Sequence, residues 1–244
     1  MSQLRNVSVI IPAFNERATI LQILRTVRAQ SVADTRFEVI VIDDGSSDGT
    51  GDLVAQHPEL CDKLIRQPRN QGKGAAVIAG LKAAQGDYIL FQDADLEYDP
   101  ADYSRLLDPV IRFNADLVMG SRLGASPVTR VFYFWHKIGN KGLTLLFNLL
   151  NNTTFTDIYS CYLLYRRDLV DPAALQRFGW DQHAEILSRA VARALGRNGG
   201  MYEVPISYHG RTYAEGKKIR GYHVLSVVRT IMLERLNRLL GKKV

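Results

Sequence analysis

Residues 7–13 read Val-Ser-Val-Ile-Ile-Pro-Ala, a nearly continuous apolar run of strand length. Runs of this kind are typical of strands that lie inside a parallel sheet and are buried on both faces. Residues 17–30 follow with apolar side chains spaced as on one face of a helix. The chain therefore opens with a buried strand and an amphipathic helix that covers it.

The same alternation continues through residue 120. Further strands are predicted at 37–42, 62–66, 88–91 and 117–119, and helices at 50–56, 72–85 and 102–113. The second half is less regular, with strands predicted at 161–165 and 202–206 and helices at 128–150, 182–195 and 222–240. This pattern predicts an α/β fold with a mostly parallel sheet and helices on both faces. Ligands of such sheets bind at the carboxyl ends of the strands.

The composition is that of a globular protein, with 244 residues of which 46% are hydrophobic. Cys61 and Cys161 stand apart from any metal-binding motif and are interpreted as reduced thiols. No stretch reaches the roughly 20 apolar residues of a membrane span, and the start of the chain lacks the apolar core of a signal peptide. The expected location is cytoplasmic, with peripheral binding at the cytoplasmic membrane face.

The net charge of +6 is unevenly distributed. Residues 211–244 hold nine Lys or Arg against two Asp or Glu, and residues 120–142 hold four basic residues and no acid. Such basic segments suit a phosphorylated ligand, an anionic membrane surface or nucleic acid, or else form a solvated basic face. Nucleic acid is the weakest of these, because no base-reading motif accompanies the basic tail.

Two carboxylates, Asp93 and Asp95, follow the strand predicted at 88–91 with Ala94 between them. Such a pair can share a hard divalent cation, which prefers oxygen ligands and takes some of them from phosphates. Glu97 extends the acidic cluster. The alternative is a surface turn or helix cap, but the position after a buried strand favours a site for a metal-bound diphosphate.

Other polar groups follow the first two strands. Asp43 and Asp44 begin a turn in which Gly45 takes an unusual backbone angle, and one of these carboxylates could also accept an N–H of a nucleotide base. Asn15-Glu16 after the first strand has the same double interpretation. No phosphate-binding loop and no GxGxxG motif are present, although Lys73 could assist at a phosphate.

Cations follow the later strands. Arg122 comes after the strand at 117–119, and Arg211 and Lys217 lie in a glycine-flanked tract. Arginine and lysine bind phosphate oxygens. The tract is interpreted as a flap that closes over a bound donor, with a basic surface loop as the alternative.

The motifs together resemble a known family. The stretches VSVIIPAFNE, VIVIDDGSSDGT, NQGKGAAVIAGLKAAQGDYILFQDADLEYDP, MGSR and VPISYHGRTYAEGKKI are similar to family 2 inverting glycosyltransferases of the GT-A fold, in the branch of dolichol- or polyprenyl-phosphate mannose and glucose synthases. The resemblance implies a GT-A catalytic domain at 1–215, a helix at 128–150 that meets the acceptor at a membrane interface, and a basic C-terminal helix at 216–244.

The resemblance also implies a role for individual residues. The implied nucleotide-sugar site consists of Pro12, Phe14, Glu16, Ile42, Asp44, Lys73, Asp93, Ala94 and Lys217. Mg²⁺ or Mn²⁺ would bind Asp93, Asp95 and Glu97, and the acceptor phosphate would contact Arg122, His136 and Asn140. Asp95, Arg122, Arg211 and Glu185 are the implied catalytic candidates, Glu185 resting on a loose match over 178–185.

The predicted reaction transfers a hexose from a UDP-glucose or GDP-mannose type of donor to a polyprenyl or dolichyl phosphate, with inversion at the anomeric carbon. A lipid phosphate is already anionic and needs no general base. An alternative is a soluble glycosyltransferase with a hydroxyl acceptor, which needs a base such as Asp157 or Glu185. A second alternative is a non-catalytic protein that binds nucleotide sugars or a membrane surface. The oligomeric state is left open.

Overall fold

The computed structural model describes residues 4–124, 130, 134–212 and 223–241. Seven strands form one sheet: β1 (Arg5–Ala13), β2 (Thr35–Asp43), β3 (Lys63–Arg66), β4 (Tyr88–Phe91), β5 (Leu117–Ser121), β6 (Leu163–Arg166) and β7 (Met201–Pro205). Seven α-helices accompany them in the described residues: α1 (Ile20–Arg28), α2 (Thr50–Ala55), α3 (Lys73–Ala83), α4 (Tyr103–Phe113), α5 (Phe134–Asn151), α6 (Gln182–Gly196) and α7 (His223–Leu239). The predicted α/β class is confirmed, and each predicted strand and helix has a counterpart.

The strands follow the order β3-β2-β1-β4-β6-β5-β7. All neighbouring pairs are parallel except those of β6, which runs antiparallel to both β4 and β5. Strand β6 is therefore inserted between two strands that precede it in the chain. Because it runs the opposite way, the segment that leads into β6 lies at the same sheet edge as the carboxyl ends of β4 and β5.

The apolar runs of the strands are buried on both faces of the sheet. Along β1, Ile10 packs beneath the layer of α3, α5, α6 and α7, whereas Val9 and Ile11 point to the opposite layer, which contains α1 and α4. This follows from the two-residue period of side chains in a strand. Full burial of such an aliphatic side chain contributes about 1.5–3 kcal/mol, so the continuous runs stabilise both layers.

Helix α5 has a buried side and an apolar exposed side. Leu143 and Phe147 are buried in the core, while the side chains of Trp135 and Leu149 are 78% and 74% exposed. Part of α7 is also apolar and exposed, notably Leu225 at 75%. None of the helices in the described part of the chain is long and apolar enough to cross a membrane.

Candidate functional site

The polar residues predicted to form a site do converge at one edge of the sheet. In the parallel register Ala13 lies opposite Asp43, so the segments after β1 and β2 leave the sheet side by side. Strand β4 pairs with the other side of β1 and delivers the acidic turn, residues 93–97, to the same edge. This edge is where an α/β sheet of this kind binds its ligand.

Gln92, which directly precedes the acidic turn, holds the turn in place through its buried side chain. Its carboxamide oxygen accepts hydrogen bonds from the hydroxyls of Tyr103 and Tyr162, both at 2.8 Å, and its amide nitrogen donates to the carbonyl of Asp93 at 3.0 Å. Within the turn, Leu96 has φ +62°, a left-handed conformation that bulky residues rarely adopt. Such strain is found where surrounding contacts impose a particular backbone geometry.

Asp93 is paired with the lysine at the start of α3. Lys73 Nζ lies 2.5 Å from Asp93 Oδ1. Burial opposes the charged form of both groups, but the attraction between them and their hydrogen bond outweigh it, lowering the pKa of Asp93 and raising the pKa of Lys73. The two side chains are therefore a charged pair at neutral pH.

Asp95 is paired with Arg211, which lies after β7. Arg211 Nη2 is 2.7 Å from Asp95 Oδ2 and 3.2 Å from Glu16 Oε1. Burial first, and then the charges of Asp93 and Glu97, raise the pKa of Asp95 to about 6, against the opposing charge of Arg211. The predicted donor-site residues Glu16, Asp95 and Arg211 are thus in one cluster.

Glu97 has a different role from the one predicted. Its carboxylate accepts hydrogen bonds from the Tyr208 hydroxyl at 2.8 Å and from the Arg211 backbone N–H at 2.6 Å. Glu97 therefore fastens the segment after β7 to the acidic turn instead of completing a three-carboxylate metal site. Within the described ranges, no group of three or more His, Cys, Asp or Glu side chains is arranged to hold a metal ion.

A divalent cation fits the two remaining carboxylates. Burial first, and then the nearby charge of Asp93, raise the pKa of Asp95 and so disfavour its ionised form. A cation between them would relieve this repulsion, and Mg²⁺ or Mn²⁺ commonly binds through one or two carboxylates while phosphates supply further oxygens. Lys73 and Arg211 carry the countercharge in this structure.

The residues predicted to contact the nucleoside differ in how accessible they are. Pro12 and Phe14 are partly exposed at the end of β1. Asp44 is buried and accepts the backbone N–H groups of Gln71 and Gly72 at 2.9 and 3.0 Å, so it braces the loop before α3. Burial raises its pKa, against those hydrogen bonds.

Two predicted donor contacts are corrected at the side-chain level. Ile42 is completely buried in the core beneath α3, and a Cβ on Gly80 would lie 2.7 Å from its Cδ1. Ala94 is 3% exposed and packs in the opposite core. Because both side chains are buried, neither is available to contact a donor at the edge of the sheet. Lys217 lies outside the described residues.

The predicted acceptor residues form a second cluster. The guanidinium of Arg122 donates two hydrogen bonds to Asp157, at 2.7 and 2.9 Å, and Asn140 donates to the same carboxylate at 2.8 Å. Burial opposes these charges, but the pairing lowers the pKa of Asp157 and raises that of Arg122. His136 is exposed one helical turn before Asn140. The structure thus brings Arg122 and Asn140 together, with His136 nearby.

Glu185, predicted as a catalytic candidate, is instead a buried structural carboxylate. It is fully buried on α6, pairs with Arg189 at 2.8 Å, and accepts the backbone N–H groups of Gln176 and Arg177. With its oxygens occupied, it is in no position to remove a proton from an acceptor. The i, i+4 spacing of Glu185 and Arg189 on a helix could have predicted this ion pair from the sequence.

Several site residues were missed by sequence reasoning. Tyr208 stacks beneath the guanidinium of Arg122, with 5.1 Å between Cζ and the ring centroid. The Trp180 ring lies 5.7 Å from Lys73 Nζ, and the Cys161 backbone N–H donates to Tyr98. Tyr98 and Tyr208 lie in the stretches that resemble the family and Trp180 lies in the loose match over 178–185, but no role was predicted for these side chains. The antiparallel direction of β6 and the segment before α6 bring Cys161 and Trp180 to this edge.

A comparison with protein families matches residues 8–172, more than half of the chain, to the model described as glycosyl transferase family 2. The chain belongs to glycosyl transferase family 2. The match spans β1 to β6 and includes the acidic turn and Arg122. The expectation of a family 2 glycosyltransferase fold, made from the motifs, is confirmed.

Curated relatives of this family 2 chain include a dolichol-phosphate mannosyltransferase of Pyrococcus furiosus, 28% identical over 92% of the chain and 62% of the relative. The low-salt glycan biosynthesis hexosyltransferase Agl6 of Haloferax volcanii is 29% identical over 84% of the chain and 48% of the relative. An undecaprenyl-phosphate 4-deoxy-4-formamido-L-arabinose transferase of Pseudomonas syringae is 33% identical over 68% of the chain and 48% of the relative. The chain spans about half to two thirds of the length of these relatives.

Among solved structures, the family 2 chain resembles glucosyl-3-phosphoglycerate synthase of Mycobacterium tuberculosis in complex with Mn²⁺, UDP and glucosyl-3-phosphoglycerate. The TM-score is 0.68 at 22% identity, over 94% of this chain and 80% of that one. The complex of that enzyme with Mn²⁺, UDP-glucose and phosphoglyceric acid gives a TM-score of 0.69 at the same identity. This likeness establishes the shared fold.

Proposed function

We propose that this chain transfers a hexose from a nucleotide-sugar donor of the UDP-glucose or GDP-mannose type to a polyprenyl or dolichyl phosphate, with inversion at the anomeric carbon. The observation that carries the proposal is the set of charges at the sheet edge. Asp93 and Asp95 face Lys73 and Arg211, which come from two other elements. The names of the curated relatives, which act on dolichol phosphate and undecaprenyl phosphate, support this substrate class.

The donor would lie along the loops after β1, β2 and β4. Pro12, Phe14, Glu16 and Asp44 lie toward the nucleoside, and the acidic turn lies toward the diphosphate. Asp93 and Asp95 would hold Mg²⁺ or Mn²⁺, which when bound neutralises the charge that accumulates on the departing diphosphate. Structural neighbours crystallised with Mn²⁺ and UDP are consistent with this choice of metal.

Lys73 and Arg211 supply positive charge on either side of the two carboxylates. When the donor and a metal ion bind, the Lys73 ammonium and the Arg211 guanidinium can each exchange a carboxylate partner for a phosphate oxygen. Neither side chain has to leave its place in the fold to do so. Arginine suits this exchange because its planar guanidinium forms paired hydrogen bonds with phosphate oxygens. Lys217, six residues beyond Arg211, is proposed to act with it.

The acceptor phosphate would bind at the cluster of Arg122, Asn140 and His136. The structure favours a phosphate over a hydroxyl acceptor, because the two carboxylates considered as general bases are both committed elsewhere. Asp157 is fully buried and pairs with Arg122, and Glu185 is fully buried and pairs with Arg189. A phosphate nucleophile is already ionised, so positioning and charge neutralisation are sufficient.

The exposed side of α5 and α7 suits a membrane surface. Helix α5 contains no acidic residue, and its exposed apolar side chains are accompanied by Lys137 and Lys141. The single acid of α7, Glu234, is buried. An apolar face with cations alone is attracted to anionic lipid. We propose that the chain binds peripherally, at the cytoplasmic face, where it meets the lipid acceptor.

The test is a transfer assay with radiolabelled UDP-glucose or GDP-mannose, undecaprenyl or dolichyl phosphate, and MnCl₂ or MgCl₂. Label should enter the organic-extractable fraction with wild type and be lost with Asp95→Ala. Asp99→Ala is the matched control, because this exposed carboxylate caps a short turn four residues away and should be dispensable. Label that reaches only water-soluble products, or full transfer by Asp95→Ala, would refute the proposal.

A further inference from the structure

The loop of residues 175–181, here called the bridging loop, is in direct backbone contact with the start of α3. The Gly74 N–H donates to the Phe178 carbonyl at 2.9 Å. A Cβ on Gly74 would lie 2.5 Å from the Phe178 carbonyl carbon, and one on Gly72 would lie 2.8 Å from its oxygen. Glycine at both positions allows this approach, so the bridging loop packs directly against the start of α3.

Lys73 lies between these two glycines. Its Nζ is 2.5 Å from Asp93 Oδ1 and 5.7 Å from the centroid of the Trp180 ring. Trp180 is itself held, because its carbonyl accepts the Tyr159 hydroxyl at 2.7 Å. The bridging loop therefore contacts the backbone of Gly74, next to Lys73, and the ring of Trp180 lies near the Lys73 ammonium.

A buried carboxylate holds the bridging loop. Glu185 accepts the N–H groups of Gln176 at 3.0 Å and Arg177 at 2.9 Å, and Arg189 Nη2 donates to it at 2.8 Å. Arg189 also donates to both oxygens of Glu234 on α7, each at 3.2 Å. Glu185, Arg189 and Glu234 thus form a buried ion cluster that connects the loop to α7.

A second contact connects α7 to the far end of the same loop. Thr230 Oγ1 donates to Asp181 Oδ2 at 2.9 Å. Thr230 lies one helical turn before Glu234, and both side chains are buried on the inner side of α7. Helix α7 therefore holds the bridging loop at both of its ends.

We infer that Glu185 is a positioning residue for the donor site: by fixing the bridging loop it places Lys73 opposite Asp93, and the packing of α7 contributes to donor binding through it. The inference rests on the proposed donor site at Asp93. A buried ion cluster is a weak source of stability, since desolvation of its charges offsets their attraction. The N–H groups of Gln176 and Arg177 that Glu185 binds fix the position of the loop, and the loop in turn fixes the position of Lys73.

The experiment uses a Trp135→Phe background, in which Trp180 is the single tryptophan of the chain. Glu185→Gln and Thr230→Val should each shift the emission of Trp180. Titration with UDP and GDP in MnCl₂ should show a Kd raised about tenfold by Glu185→Gln, corresponding to about 1.4 kcal/mol. In transfer assays the donor KM should rise more than kcat falls.

Glu38→Gln is the matched control. Glu38 also accepts a backbone N–H, from Gln85 at 2.9 Å, and pairs with Lys63 at 2.8 Å, but it lies at the opposite edge of the sheet. This variant should lose thermal stability while Trp180 emission and the Kd of UDP and GDP stay at wild-type values. A general loss of stability is thereby separated from a loss of positioning.

A double-mutant cycle with Lys73→Ala identifies the route. If Glu185 acts through Lys73, Glu185→Gln should raise the Kd no further once Lys73→Ala is present. Additive effects would overturn the inference, as would wild-type emission and Kd in both Glu185→Gln and Thr230→Val. If Glu185→Gln does not fold, the inference is tested with Thr230→Val and with Gly74→Ala, which forces Phe178 away. The same Trp180 emission and Kd measurements are made on these two variants.

Failure of the proposed function gives a different result. If the wild-type chain binds neither UDP nor GDP, the proposed donor site is refuted. Trp180 emission then still reports whether Glu185 and Thr230 fix the bridging loop, and unchanged emission in every variant would overturn the positioning role.

Discussion

The guanidinium of Arg211 lies 2.7 Å from the carboxylate of Asp95, although 116 positions separate the two residues in the chain. The contact joins the turn after β4 to the segment after β7. Because Glu16, from the end of β1, binds the same guanidinium at 3.2 Å, three distant parts of the chain meet at one cation.

Replacement of Arg211 by alanine should weaken transfer without unfolding the chain. Loss of a charge-assisted contact to the donor phosphates should lower kcat/KM by roughly 30- to 100-fold, and Arg211→Lys should recover part of it. Steady-state kinetics with the labelled donor measure this. Arg112→Ala, which removes an exposed arginine of α4 paired with Asp108, should retain wild-type kinetics; equal effects of the two variants would contradict the assignment.

Asp157→Asn should reveal a structural partner and not a general base. It leaves the buried charge of Arg122 without its carboxylate, which should cost about 3–5 kcal/mol and lower Tm by roughly 10 °C. The acceptor KM should also rise, because Arg122 loses its orientation. Calorimetry and acceptor titration provide the two measurements. A variant with wild-type Tm and a selective loss of kcat would instead identify Asp157 as a base.

Stability should fall on the acid side because of His183. Burial first, and then the charge of Lys73, lower the pKa of this imidazole to about 4, below its ordinary value of 6.5. Between these values the unfolded chain binds the proton and the folded chain does not. The contribution of neutral His183 to the free energy of unfolding is therefore complete above pH 6.5. It is lost as the pH falls toward 4, and the loss amounts to at most about 3 kcal/mol.

Urea unfolding at several pH values should show this loss in wild type and a flatter profile over the same window in His183→Gln. Parallel profiles for the two proteins would exclude His183 as the cause.

Two glycines should respond in opposite ways to alanine. Gly45 has φ +67°, and an added Cβ would lie 2.4 Å from the Arg69 carbonyl carbon, so Gly45→Ala should destabilise by more than about 1 kcal/mol. Gly142, inside α5, has open space around an added Cβ, so Gly142→Ala should stabilise by up to about 1 kcal/mol. Chemical denaturation distinguishes them, and a stabilising Gly45→Ala would contradict the turn geometry.

Membrane binding should depend on the cations of α5. The double variant Lys137→Glu and Lys141→Glu reverses two charges beside the exposed apolar face, each basic residue contributing about 1 kcal/mol near an anionic surface. Sedimentation with phosphatidylglycerol vesicles should show at least about tenfold weaker binding. Arg112→Glu on the opposite layer serves as the control. Equal binding by all three proteins would exclude this face.

The sheet could be predicted from the sequence because its strands are buried on both faces and read as apolar runs. The acidic turn could be placed because Asp93 and Asp95 directly follow such a run. The direction of β6 could not be predicted, since an apolar run is the same in either direction. The partners of the carboxylates could not be predicted either. Lys73 and Arg211 reach Asp93 and Asp95 through packing that involves the bridging loop and Glu97, and not through local spacing in the sequence.

The insertion of β6 between β4 and β5 also bears on how the molecule is synthesised. While the ribosome has released only the first 160 or so residues, the inner edge of β4 has no partner, and the acidic turn has neither Arg211 nor Tyr162 beside it. An exposed strand edge of this kind invites association with other chains. We therefore expect premature termination before Leu163 to yield an aggregating fragment, and the nascent chain to complete the ion pairs of the acidic turn only as the last third emerges.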